Sequence, residues 1–244
     1  MIVINDGIHL RLITQPDHAR LAGDIAEAWH ADVWRSHAKR DVLLLAIREH
    51  DNGWIEPDAE PEVDPQTGHP YDFVSAPEEV KQAIWPRGVE RLARRDPLAA
   101  AFVAQHALTL FADRQSKPSW SAFFVRMTVL RDTLLDVCEM SDPDARDAFA
   151  RDYRLLYLAD FLSLAFCNDW HQTFDSDGYS FVVRGDRLMV TPDPFGTQLV
   201  SLSVPSRQIP SRRYHTTVDL QRALAEAEEF RIYGIARGGA LRAE

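Results

Sequence analysis

The segment Asp41-Val42-Leu43-Leu44-Leu45-Ala46-Ile47-Arg48-Glu49-His50-Asp51-Asn52-Gly53-Trp54 carries an apolar run into an adjacent histidine and aspartate, then halts at a glycine. Val42 to Ile47 has helix-forming residues and no breaker. Gly53 stands where a helix C-terminus favours a residue free to take positive φ. The pattern predicts a largely buried helix, from about Asp41 to Asp51, whose last turn sets an imidazole beside a carboxylate. One borderline nitrogen ligand next to one hard oxygen ligand suits a divalent transition metal. A His-Asp dipeptide arises by chance in many chains. Its weight here comes from His18, His106 and Asp160, each inside an apolar helical pattern.

Working outward, residues 1–14 read as a hairpin. Ile2-Val3-Ile4 and Ile8 to Ile13 flank Asn5-Asp6-Gly7, with Ile8, Leu10 and Leu12 on one face. Pro16 opens a helix to about His30, on which His18 lies one turn before Leu21 and Ala22. A polar, basic segment from Asp32 to Arg40 leads into the His-Asp helix. From Trp54 to Pro77 the chain is acidic and proline-rich without a period, which predicts a long semi-rigid loop, either a cover over a site or a solvated surface. Helices are expected from Ser75 or Ala76 to about Arg95 with a kink or break at Pro86, from Pro97 through Leu108, from Pro118 to about Leu135, and from Asp144 to Trp170. After Asp175-Ser176-Asp177-Gly178 the period becomes two. Tyr179–Arg184 and Arg187–Thr191 flank the turn pair Gly185-Asp186, and 199–204 reads as a further strand. A helix from Thr217 to about Glu229 precedes a final apolar stretch and a tail expected to be mobile. The expected architecture is mainly α, a single domain over 1–244. Residues 15–172 form its helical body, and 1–14 with 178–205 form a small antiparallel sheet beside it.

Asp160 has Leu156, Tyr157, Ser163 and Leu164 as its helical neighbours, so no cation on its own helix can pair with it. An ionised carboxylate in such surroundings is paired across helices, protonated, or bound to metal. His106 is flanked in the same way by Phe102, Val103, Thr109 and Leu110. Three helices therefore each aim one metal-competent group inward, and a fourth ends in His50-Asp51. Singly, each has a plainer reading as a core histidine or an interhelical acceptor.

The formal net charge of −10 argues against nucleic acid or an anionic membrane as a bulk partner. Cys138 and Cys167 lie far apart without metal-ligand or redox spacing, which fits reduced thiols in a cytoplasmic setting. The N-terminus lacks the basic-then-apolar order of a signal peptide, and no apolar run approaches the roughly 20 residues needed to span a bilayer. The expected partner is a small-molecule substrate. Oligomeric state is left open, a homodimer included.

The order His18, then His50-Asp51, then Asp160 resembles the HD-domain superfamily of metal-dependent phosphohydrolases, and His50-Asp51-Asn52-Gly53 resembles its His-Asp-x-Gly form. That resemblance implies an HD-like helical bundle with His18, His50, Asp51 and Asp160 as metal ligands, and His106 as the additional histidine of members holding a second metal. More narrowly, Gln15-Pro16-Asp17-His18-Ala19, His50-Asp51-Asn52-Gly53-Trp54 and Asp64-Pro65-Gln66-Thr67-Gly68 are similar to a bacterial family catalogued as a domain of unknown function. Two departures stand out. Trp54 occupies the place where a phosphate-binding lysine would be expected, and the acidic loop after it repels a polyanion unless it folds away.

The resemblance implies metal-assisted hydrolysis of a small phosphorylated metabolite or nucleotide, with Mn, Zn, Mg or Fe as the divalent ion. The ion lowers the pKa of a bound water towards about 7, and Asp51 or Glu56 takes its proton. Trp54, Arg48 and His69 are candidates for substrate contacts, and Lys39, Arg40, Arg48 and Arg87 for neutralising phosphate. Two other readings compete. Some HD-like folds hold two irons and oxygenate a small substrate, as inositol oxygenases do, and His106 permits this. A non-catalytic scaffold is the third, with Trp29, Trp34, Trp54 and Trp85 lining a ligand pocket.

Overall fold

The computed structural model describes residues 1–30, 34 and 36–239. Its helices are α1 (Gln15–Glu27), α2 (Arg40–Glu49), α3 (Ile55–Ala59), α4 (Glu78–Ala93), α5 (Pro97–Leu110), α6 (Ser121–Val137), α7 (Pro143–Cys167) and α8 (Thr217–Ala225). Its strands are β1 (Ile2–Asn5), β2 (His9–Ile13), β3 (Phe174–Ser176), β4 (Tyr179–Arg184), β5 (Arg187–Thr191), β6 (Val200–Pro210) and β7 (Glu228–Gly238).

Capping chemistry sets the helix starts. Thr14, Asp96 and Asp142 each accept a hydrogen bond from the backbone N–H three residues on. Each is followed within two residues by a proline, whose missing N–H is harmless in a first turn. These caps begin α1, α5 and α7. The apolar faces then pack together: α2 lies against α1, α5 and α7, and α7 lies also against α1 and α5. Ile25, Leu43, Ile47, Phe102 and Leu162 are fully buried among them. Phe102 stacks on Phe149 with ring centroids 4.3 Å apart. A core of this kind is tightly packed, so it holds side chains it encloses in fixed positions.

The sheet departs from expectation. Among the described residues seven strands form one mixed sheet in the order β1-β2-β6-β7-β5-β4-β3, curled into a half-barrel. The molecule is therefore neither all-α nor a mainly-α, HD-like bundle carrying a small antiparallel appendage. The element that overturns that expectation is β7, which lies beyond the 178–205 boundary. It pairs antiparallel with β6 from Gln208 back to Val200, and parallel with β5 from Arg187 to Val190. Without β7 the N-terminal hairpin with β6 and the β3-β4-β5 meander would be two separate pieces. β7 was hidden because its half-buried face, Phe230, Ile232, Gly234 and Ala236, alternates with the charged Glu229, Arg231 and Arg237 behind a helical segment. Gly234 is required there: a Cβ would stand 2.5 Å from the Phe166 ring of α7 and 2.4 Å from the Asp186 carbonyl oxygen.

The two faces of β2 serve different cores. Ile13 joins the main helical core, whereas Leu10 and Leu12 join Ile209, Tyr214 and Leu220 under α8. Ile8, expected beside Leu10, is 72% exposed. Other local differences are smaller. α4 runs through Pro86 as one helix. The acidic segment after Trp54 is structured as α3 and a Val63–Pro70 bridge rather than a bare loop. Cys167 is buried and Cys138 half-buried, and both are free thiols. Residues 31–33 and 35 of the basic segment, and the tail 240–244, lie outside the described residues. Among the described residues no helix is long and apolar enough to cross a membrane.

Candidate metal centre

α2 ends at His50, and the chain tightens into a 3-10 turn over Asn52–Trp54. This turn lies so close to α4 that a Cβ on Gly53 would stand 2.1 Å from the Ile84 carbonyl oxygen. Gly53 is not in the positive-φ region, so glycine is needed here for close approach and not for a left-handed C-cap. Arg87 donates to the Gly53 carbonyl and Arg91 to the Asn52 carbonyl, each at 2.6 Å. Asn52 Nδ2 donates to the carbonyls of Glu49 and Gly88. The turn carrying Asp51 is thereby held against the helical body.

Five side chains from four elements meet there: His18 on α1, His50 and Asp51 at the end of α2, His106 on α5 and Asp160 on α7, all buried. His18 Nε2 lies 2.9 Å from Asp51 Oδ2 and 3.6 Å from Asp160 Oδ1. His50 Nε2 lies 3.5 Å from Asp51 Oδ2 and 3.4 Å from Asp160 Oδ1. His106 Nε2 lies 3.4 Å from Asp160 Oδ2. The His50 ring stands edge-on to both His18 and His106, with centroids 5.1 Å apart in each pair.

Hydrogen bonds behind the rings fix their orientation. His50 Nδ1 lies 2.7 Å from the Ile47 carbonyl, which only accepts, so Nδ1 is the donor. Its Nε2 is buried without a hydrogen-bond partner. His18 Nδ1 lies 2.7 Å from Ser163 Oγ, and that hydroxyl already donates to the Asp160 carbonyl at 3.0 Å. Ser163 Oγ thus holds the His18 ring at Nδ1, and His18 Nε2 meets the Asp51 carboxylate at 2.9 Å. Lone pairs facing one another in a buried space require a cation or a proton between them. In the protein alone a proton serves. Burial would lower His50, but the Asp51 and Asp160 carboxylates overcome it and raise its pKa to about 9. Burial opposes Asp160 ionisation, yet His106 and His50 hold its carboxyl well below the usual range. Burial lowers His106.

The donor set fits a divalent ion. Bonds of about 2.1 Å place neighbouring ligands roughly 3.0 Å apart in an octahedron and roughly 3.4 Å in a tetrahedron, close to the separations here. Two overlapping triads, His18-His50-Asp51 and His50-His106-Asp160, are grouped so that they could hold a metal ion. Three neutral imidazoles and two carboxylates leave two negative charges, which a divalent ion balances.

The other expected site residues fall elsewhere. Glu56 is on the surface, paired with Arg87 and Arg91, so it braces the Asn52–Trp54 turn from outside and is not among the residues lining the cavity at the centre. Arg48 pairs with Asp24 and Glu27. Arg40 donates to the Glu27 carbonyl and Lys39 to Met140. His69 is half-buried in the 62–71 loop, where its carbonyl accepts from Asp64 N–H. Trp29 packs on Tyr179 and Phe195, and Trp34 donates to the Ala26 carbonyl. Trp54 and Trp85 do reach the site. They line a cavity of about 220 Å³ that opens onto His18, Asp51, His106 and Asp160.

The same cavity holds groups that the sequence did not mark, Lys81 and Arg114, together with Gln15 of the Gln15–Ala19 motif. Lys81 follows Glu78-Glu79 in the first turns of a helix, a pattern that reads as a solvated face. A larger groove of about 660 Å³ runs along α1, α3, β6 and β7. Its arginines are engaged, Arg20 by Asp17, Arg207 by Glu229 and Arg231 by Ser203, and no histidine lines it.

A family model described as "Protein of unknown function (DUF3891)" matches residues 1–211 of the chain. No curated protein and no solved structure matches it.

Proposed function

The chain belongs to the DUF3891 family, and from the buried centre we propose that it is a metal-dependent phosphohydrolase acting on a small phosphorylated molecule. One observation carries the reading: contacts at the Nδ1 atoms of His18 and His50 turn both Nε2 atoms toward two buried carboxylates. Its link to the HD phosphohydrolases is the order of His18, His50-Asp51 and Asp160 along the chain, a resemblance of residues and not of overall fold. His18, His50, Asp51 and Asp160 would hold the ion, with His106 completing the set. When bound, a divalent ion lowers the pKa of a coordinated water towards about 7 and polarises a phosphoryl oxygen. Asp51 borders the cavity, and in this reading it would be the group that takes up a proton there. Ser163 and the Ile47 carbonyl orient the two imidazoles, and the Arg87 and Arg91 bonds hold the turn that carries Asp51.

The test is elemental analysis of wild type beside His50→Ala, followed by assay of phosphate-ester cleavage. About one or two equivalents of manganese, zinc or iron, lost in the variant together with turnover, is the expected result. Wild type that takes up no metal after incubation with all three overturns it. A second reading, oxidative chemistry at a pair of irons, draws on Asp160, whose Oδ1 faces His18 and His50 while its Oδ2 faces His106. Two equivalents of iron with oxygen consumption would favour that chemistry.

A further inference from the structure

The cavity that opens onto the histidines and carboxylates has a second pole of opposite charge. Lys81, on α4, is buried at 6% exposure, and its ammonium group donates to the Val74 carbonyl. That bond uses one of three N–H donors. Arg114 borders the same cavity, braced by Glu78 at 3.2 Å and by the Trp120 ring 4.9 Å away. Glu78 is shared with Lys117 at 4.0 Å, so one carboxylate answers more than one cation. Burial and then Arg114 lower the Lys81 pKa, against the opposing pull of Asp72 and Glu78. Two more buried polar atoms on the lining residues have no partner in the protein, Trp85 Nε1 and Gln15 Oε1. Buried polar atoms are normally satisfied, so unpaired ones around one cavity call for a polar occupant. The remaining wall, Trp54, Phe73, Phe111 and Leu164, is apolar.

We infer that Lys81 and Arg114 form an oxyanion subsite, so that the molecule occupying this cavity is a small phosphate monoester or carboxylate with an apolar body, below nucleotide size. The size limit follows from the volume. About 220 Å³ equals roughly seven water volumes and falls short of the roughly 300–1,000 Å³ of drug-sized ligand sites. Bidentate or charge-assisted contacts to an oxyanion are the strong class of hydrogen bond, and the apolar wall accounts for the rest of the ligand. This inference rests on the proposed hydrolase reading for the location of the reacting bond, but the subsite itself stands on Lys81 and Arg114.

The experiment is calorimetric titration of the manganese-incubated protein with inorganic phosphate, phenyl phosphate, benzoate and adenosine monophosphate. Wild type is compared with Lys81→Met, Lys81→Arg and Arg114→Gln, each checked for a native thermal transition. The expected result is binding of phenyl phosphate or benzoate, whichever oxyanion the site prefers. It should weaken about 10- to 100-fold in Lys81→Met, the loss of one charge-assisted bond, weaken similarly in Arg114→Gln, and recover in Lys81→Arg. No binding of any probe, or equal affinity in wild type and Lys81→Met, overturns the subsite. Adenosine monophosphate binding more tightly than phenyl phosphate overturns the size limit. The two readings fail separately. Lys81-dependent binding in a protein that takes up no metal removes the hydrolase and keeps the subsite. Metal that is lost in His50→Ala, with binding indifferent to Lys81, does the reverse.

Discussion

Gly53→Ala tests whether the geometry of the His50-Asp51 turn is imposed by its contact with α4. The added Cβ would lie 2.1 Å from the Ile84 carbonyl oxygen and 2.8 Å from its carbon, both backbone atoms. Ordinary contact begins near 3.4 Å, so the turn and α4 must separate by about 1 Å or more. Interiors packed at crystal density do not absorb such a shift locally. Overpacking costs about 1–3 kcal/mol, and the upper end applies because no flexible side chain can yield. The same shift moves Asp51, two residues away, whereas metal sites tolerate about 0.2 Å in ligand distance. Metal affinity should therefore fall at least as far as when a supporting partner is removed, about 10- to 100-fold. Urea unfolding measures the first quantity, and zinc titration against a competing chelator the second. Gly178→Ala is the control: its φ is +83° with open space around the Cβ, so strain of about 1 kcal/mol is expected with metal affinity unchanged. If Gly53→Ala behaved like Gly178→Ala, the close-approach argument would be wrong and the left-handed C-cap reading restored.

Ser163→Ala leaves His18 Nδ1 buried without its hydrogen-bond partner. A stability loss of about 1–3 kcal/mol is expected, with metal binding about 10- to 100-fold weaker; unchanged metal binding in a folded variant refutes Ser163 as the group that orients His18. The metal-free protein should lose stability on the alkaline side. His50 is raised from 6.5 to about 9 in the folded state, so its contribution is complete below about pH 6.5 and disappears as pH rises through about 9. Burial lowers His106 from 6.5, so its own contribution runs the other way and is complete about one unit above that value. Thermal melts of chelator-treated protein between about pH 7.5 and 9.5 should therefore fall, whereas the metal-loaded protein, in which the ion replaces the proton, should hold. A flat metal-free profile refutes the coupling of His50 to Asp51 and Asp160.

Much of the helical body was legible from local chemistry. Thr14, Asp96 and Asp142 satisfy N–H groups only three residues away, and a cap followed by proline means the same thing in any fold. The five residues of the centre were legible for a related reason. A carboxylate or imidazole without a helical counter-charge inside an apolar stripe must find its partner across the core, and Asp160 and His106 do. The Asn5-Asp6-Gly7 hairpin and the Gly185 turn were equally local, each glycine taking positive φ.

What no local pattern carried is pairing between distant segments. β7 is a strand because β5 and β6 flank it, and their registers cannot be inferred from Glu228–Gly238 alone. Glu56 and Lys81 make the same point from opposite sides. The carboxylate nearest to His50-Asp51 after the turn is drawn outward by Arg87 and Arg91 on α4, while a lysine that reads as surface is turned inward, where Arg114 joins it from beyond α5. Which side chains had to be buried with a partner could be read along the chain. Which charges share a cavity could not, because charge interactions depend on distance in space and on exclusion of water, and both are set by helices and strands far apart in the chain.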